Sequence, residues 1–110
     1  MGQNADALSP APGAITDSDA DLLRQHVRHG SQAAFAALVR RYGGLVRATC
    51  LREVDDPHLA EDAAQVVFLL LARKAPSLLR VDSLAGWLFR ASRFTARNSA
   101  ERGPRLASPQ

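Results

Sequence analysis

The chain has one cysteine, Cys50, so no internal disulfide can form, which suits a reducing cytoplasm. Its three histidines, His26, His29 and His58, are scattered, and together with that cysteine they offer no metal-ligand spacing. No run of about 18 uncharged apolar residues occurs, so no membrane span is expected. The stretch Met1 to Ile15 lacks the basic start and apolar centre of a signal peptide. No segment alternates with period two for long enough to read as a strand. No nucleophile with its base, phosphate-cradling loop or metal set accompanies the carboxylates, so neither enzyme chemistry nor a bound cofactor is expected.

What remains is a chain of 110 residues, 46% apolar and 23% charged, sufficient for one domain with tails. The net charge of +3 is mild but unevenly spread. From Leu84 onward Arg90, Arg93, Arg97, Arg102 and Arg105 face a single acid, Glu101. Such asymmetry suits contact with a polyanion, or equally a solvated basic helix end that complements the macrodipole.

Periodicity and stop signals predict an all-α fold, a compact four-helix bundle over residues 16–102. Residues 1–15, rich in Ala, Pro and Gly, read as a disordered tail, and 103–110 as a C-terminal tail or linker. Thr16-Asp17-Ser18-Asp19 supplies caps for a first helix ending near His29, with Leu22, Leu23 and Val27 inward. Gly30 stops it and Ser31 caps the second. That second helix has the clearest period: Phe35, Leu38, Val39, Tyr42, Leu45, Val46, Thr49 and Cys50 recur at three- and four-residue steps. Cys50 falls on this stripe and reads as core. Gly43-Gly44 lies within the helix and predicts a close neighbouring helix or a slight bend. Asp55-Asp56-Pro57 opens a third helix, expected to end near Lys74 because Pro76 follows. Pro76 to Val81 reads as a loop. Asp82 or Ser83 then caps a fourth helix, Leu84 to about Ser99, and Gly103-Pro104 ends the ordered chain.

The third helix is the most informative. It opens on Glu61, Asp62 and Gln65, then turns almost wholly apolar through Val66-Val67-Phe68-Leu69-Leu70-Leu71. Glu61, Asp62, Gln65, Phe68, Leu69 and Ala72 share one broad face at helical spacing. A bundle this small rarely buries a helix all round, so apolar surface beside the carboxylates is open to a basic, partly apolar partner. The simpler alternative is that Glu61 and Asp62 only complement the helix N-terminus.

On the fourth helix Trp87, Ala91, Phe94 and Asn98 lie near one side, while Arg90, Arg93 and Arg97 form a stripe bordering it. Phe89 falls beyond the arginines. Guanidinium groups beside an exposed ring suit single-stranded nucleic acid, with phosphates held by charge and bases by stacking. The preceding loop, Leu79 to Ser83, offers small polar groups to a splayed base. Equally, Trp87 and Phe94 read as core and the arginines as solvated.

Three segments together resemble region 2 of the bacterial RNA polymerase sigma factors, the extracytoplasmic-function type of the sigma-70 family in particular. They are Ala34-Phe35-Ala36-Ala37-Leu38-Val39-Arg40-Arg41-Tyr42, Ala60-Glu61-Asp62 with Gln65 and Phe68, and Ser83-Leu84-Ala85-Gly86-Trp87-Leu88. Order and spacing fit from about Asp19 to Arg102. The resemblance implies a non-enzymatic domain whose Glu61, Asp62 and Gln65, supported by Leu69, dock on the clamp helices of the polymerase's largest subunit. It further implies that Arg80, Val81, Asp82 and Ser83, with Arg90, Arg93 and Arg97, contact the non-template strand of the promoter −10 element and capture a flipped base. An anti-sigma factor is a further partner class it implies. Two departures stand out. Phe94 and Asn98 occupy positions where many members carry Asn and Asp, and nothing after Arg102 forms the second helical domain, region 4. They leave an alternative: a helical protein-interaction module that keeps the polymerase surface without sequence-specific DNA recognition.

Overall fold

The computed structural model describes residues 17–107, with side chains as far as Ala100. The tail expected over residues 1–15 lies outside the described residues. Four helices run in order: α1 (Asp19–His29), α2 (Gln32–Val54), α3 (Pro57–Leu78) and α4 (Leu84–Ala107).

Each helix begins where a short polar side chain can satisfy a free backbone N–H. The Ser18 hydroxyl accepts from Asp21 N at 3.0 Å, and the Ser31 hydroxyl from Ala34 N at 3.0 Å. Asp56 Oδ1 accepts from His58 N at 2.9 Å and Leu59 N at 3.2 Å, with Pro57 at the first helical turn. Ser83, rather than Asp82, caps α4, accepting from Gly86 N at 2.9 Å. Gly30 closes α1 at φ 63°, a left-handed turn that glycine enters without a Cβ clash. Asp55 closes α2 in the same way at φ 56°. The two adjacent aspartates therefore divide the work: Asp55 ends one helix and Asp56 starts the next.

Three sequence expectations are corrected. Pro76 does not stop α3, which continues to Leu78. The proline removes the one N–H bond that residue 76 would make to the carbonyl four residues back, and burial of Ala75 and Leu78 beside it holds the turn against the core. Likewise α4 does not end near Ser99 but passes through Gly103-Pro104 to Ala107. A close neighbouring helix, one of the two readings of the Gly43-Gly44 pair, is not what the structure places nearest it: a Cβ on Gly43 would first meet the Arg47 guanidinium of its own helix, at 3.2 Å, and one on Gly44 would meet nothing within 4 Å.

Helix α2 packs against the other three, α3 and α4 also pack together, and α1 lies on α2 with a smaller contact to α3. The facing surfaces are small: Ala34 and Ala37 on α2, Ala60, Ala63, Ala64 and Ala75 on α3, Ser92 and Ala96 on α4 are all buried. Leu22, Leu23, Leu38, Val46, Val67, Leu71 and Leu88 fill the space between them. Cys50 is fully buried, its thiol directed at the Ser92 carbonyl at 3.7 Å, and burial pushes its pKa up. Phe35, Val39, Tyr42 and Leu45, expected on the inward stripe, are only half-buried. Phe94, one of whose readings was core, is 67% exposed.

The start of α1 is tied to α2 by Asp19. Its carboxylate accepts from Arg41 Nη1 at 2.7 Å and from the Tyr42 hydroxyl. Burial first, then the bond to Asp19 and its negative charge, push the Tyr42 phenol from 10.0 to about 12. A raised phenol pKa means folding favours the neutral form, so this contribution is intact below pH 10 and lost as pH rises towards about 12. Tyr42 is the sole tyrosine. Phenolate absorbance of the native protein should therefore titrate with a single midpoint near 12, moving down towards 10.0 in Asp19→Asn; a midpoint unmoved by that change would contradict the Asp19 contact. For the glycine pair, Gly44→Ala should stabilise the domain by about 0.5–1 kcal/mol in thermal unfolding. Gly43→Ala should gain less, since the Arg47 guanidinium must give way.

Candidate functional site

Two faces carry the residues singled out from the sequence. The first is on α3. Glu61, Asp62 and Gln65 are exposed on successive outward positions, and Leu69 is 66% exposed one turn further on. Apolar side chains exposed next to carboxylates are the pattern expected of a docking surface. Glu61, Gln65 and Leu69 line a groove of about 400 Å³, closed on its other side by Phe35, Val39 and Arg47 of α2. Asp62 stands outside this groove. Arg47 and Glu61 also line a smaller hollow together, with Leu51 and Pro57. Val66 adds further exposed apolar surface at 42%.

Because Asp56 already caps α3 and accepts from two backbone amides, Glu61 and Asp62 are not needed as caps. They lie beyond the first turn, where the macrodipole effect has largely decayed. That weakens the view that they serve only the helix end.

The second face joins the loop after α3 to α4. Arg80, Asp82 and Ser83 are exposed, and Val81 is half-buried against the core. Val81, Asp82 and Ser83 line a pocket of about 250 Å³ together with Asp19, Tyr42 and Leu84. Of its two charged residues Asp19 is already engaged by Arg41 and Tyr42, which leaves Asp82 as the carboxylate able to accept from a group carrying amino donors. Arg80, Arg90, Arg93 and Arg97 do not line it.

The arginine stripe is divided by its partners. Arg93 Nε and Arg97 Nε donate to the two carboxylate oxygens of Glu53, near the end of α2, at 3.1 and 2.9 Å. Arg97 and Arg93 hold the Glu53 carboxyl below its ordinary pKa, so it remains charged at neutral pH. Arg93 also lies over the Phe89 ring, 5.8 Å from its centroid. Arg90 lies elsewhere. The point where Gly86 would carry a Cβ is 3.4 Å from Arg90 Nη1 and 3.3 Å from Ser83 Oγ. The absent side chain thus lets Arg90 reach back towards the loop, linking stripe and pocket.

Phe35, Val39, Arg47, Asp19, Tyr42 and Glu53 complete these faces without having been singled out for them. Phe35 and Val39 read as inward by period, and only the small residues beside them show why they sit at the rim. Glu53 lies forty positions from Arg93, a separation over which charge pattern gives no pairing signal. Among the described residues no group of three His, Cys, Asp or Glu is placed to hold a metal, and no helix is long and apolar enough to cross a membrane.

No curated protein and no solved structure matches the chain. A family profile, Sigma-70 region 2, matches residues 38–105. The match covers more than half of the chain, taking in all of α3, the loop to α4, and every residue of the arginine stripe. The chain belongs to the sigma-70 region 2 family.

Proposed function

We propose that this chain is an extracytoplasmic-function-type initiation domain with its two tasks divided between the two faces. Domains of its family are non-enzymatic and in general bind core RNA polymerase and the promoter −10 element. In this chain Glu61, Asp62 and Gln65, with Leu69, would grip the clamp helices of the polymerase's largest subunit, and the work would take place in the cytoplasm with that enzyme. The observation that carries this reading is the α3 surface: two exposed carboxylates and an amide beside a groove with exposed Leu69 and half-buried Phe68. Carboxylates orient a basic partner helix, and the apolar groove supplies contact area once it has docked.

The second task falls to Arg80, Val81, Asp82 and Ser83, with Arg90, Arg93 and Arg97. Extruding a base from the stack costs a few kcal/mol. A pocket that accepts the base, flanked by guanidinium groups that hold phosphates, offsets that cost. The acidic lining of the pocket beside Ser83 and the reach of Arg90 towards that loop support this assignment.

A second reading has its own observation. Arg93 and Arg97 are engaged by Glu53, and the exposed Phe94 gives α4 an apolar character. On that reading the chain is a protein-interaction module that binds polymerase without reading DNA, and an anti-sigma factor would be a partner of the same helical surfaces.

Asp62→Arg should weaken binding to core polymerase by about tenfold or more, equivalent to about 1.4 kcal/mol, and Gln65→Ala by less. Both variants should keep the helical circular dichroism of the parent. Core binding unchanged on charge reversal at Asp62 contradicts the docking assignment. For the DNA face, affinity for a non-template −10 strand should fall steeply with salt, and Arg90→Ala should reduce the log–log slope by roughly 0.7. A sequence-independent, salt-insensitive signal favours the interaction module instead.

A further inference from the structure

Glu53 stands at the centre of a contact that neither packing nor docking requires. One carboxylate receives two guanidinium groups, one on each oxygen, from residues one helical turn apart on another helix. Both arginines bind through Nε. Their Nη1 and Nη2 nitrogens make no hydrogen bond to the described residues. The side chains stay open to solvent, Arg93 at 43% and Arg97 at 54%, whereas Glu53 is only 20% exposed. The Phe89 ring lies against Arg93 as a further support.

A guanidinium held at Nε–H leaves free the end-on fork of its Nη1 and Nη2 N–H groups, directed to one side of the holding carboxylate. That fork suits an anion with paired oxygens. Two forks fixed by one carboxylate carry a net charge of about +1 and lose less side-chain entropy on binding than two free arginines. We propose that Glu53 is a positioning residue. It holds Arg93 and Arg97 side by side so that their outer nitrogens receive the phosphodiesters of a single-stranded nucleic acid.

The inference rests on the DNA reading of the α4 face and makes a counter-intuitive demand. Removing a negative charge beside a polyanion should strengthen binding, by simple electrostatics. If Glu53 positions the arginines, its removal weakens binding instead. The full chain would be titrated into a fluorescein-labelled single-stranded −10 oligonucleotide, with anisotropy read over a range of salt. Glu53→Gln should lower the affinity about threefold or more although it adds a net positive charge. The same change made in the Arg93→Ala, Arg97→Ala background should no longer weaken binding and should leave it equal or tighter, because the arginines it positioned are gone and only the charge effect remains. A purely structural tie would lower the melting temperature and leave the affinity of the folded protein unchanged or improved.

Equal or tighter binding by Glu53→Gln, with the parent binding normally, overturns the positioning role and leaves the DNA reading intact. Absence of binding by the parent at any salt overturns the DNA reading and the positioning role with it. Should Glu53→Gln fail to fold, the parent's arginine Nε–H resonances decide the matter. Shifts of the Arg93 and Arg97 signals on adding the oligonucleotide support the proposal, and unmoved signals overturn it.

Discussion

The bundle depends on close approach between helices faced with small side chains. Ala34 and Ala37 meet Ala60, Ala63 and Ala64 in a shared core, while Ser92 and Ala96 allow α4 the same intimacy. Alanine also has the best helix propensity, so the residues that permit close packing also favour the helices themselves. The consequence is geometric. Where backbones come this close, larger apolar side chains on the same helices are displaced to the rim. Phe35, Val39, Phe68 and Leu69 are found there, and their displacement creates the groove beside Glu61 and Gln65. The exposed groove and the core packing are thus two results of one constraint.

Charge is distributed along similar lines. Arg41 is committed to Asp19 and to the Asp17 carbonyl, fastening α1 to α2. Arg93 and Arg97 reach across from α4 to Glu53, fastening the far end of the same helix. Exposed ion pairs of this kind contribute little each, typically 0–1 kcal/mol, so their main effect is to fix where guanidinium groups point. Helix α2 thus carries one carboxylate-anchored contact at its middle, through Arg41 and Tyr42, and another near its C-terminal end, at Glu53, and the faces with chemical character lie beside those anchors.

Much of this was legible in the sequence because it is local. Ser31, Asp56-Pro57 and Gly30 act within a few residues of themselves, and each marks the boundary it was expected to mark. Cys50 and Leu38 are buried as their period required. Pro76 does not end the helix because it removes a single backbone bond, and the buried Ala75 and Leu78 on either side of it hold the last turn to the core. Phe94 was ambiguous because periodicity marks a helical side without locating the centre of the core. The core runs along Leu84, Leu88, Ser92 and Thr95, leaving Phe94 well outside it. The exposed carboxylates of α3 were identifiable individually. The groove behind them was not, since it arises from the relative placement of two helices, and neither was the Glu53 anchor, which joins residues distant in the chain.

Cys50 gives the bundle a property that none of its surface residues has. The thiol is the chain's sole sulfhydryl, sealed between α2 and α4, directed at a backbone carbonyl and held in its protonated form by burial. Thiolate chemistry requires both access and ionisation, and this site withholds both while the helices remain together. Any alkylation or oxidation at that sulfur therefore records a moment when α2 and α4 have parted, making one unreactive atom an internal clock for the opening of the domain.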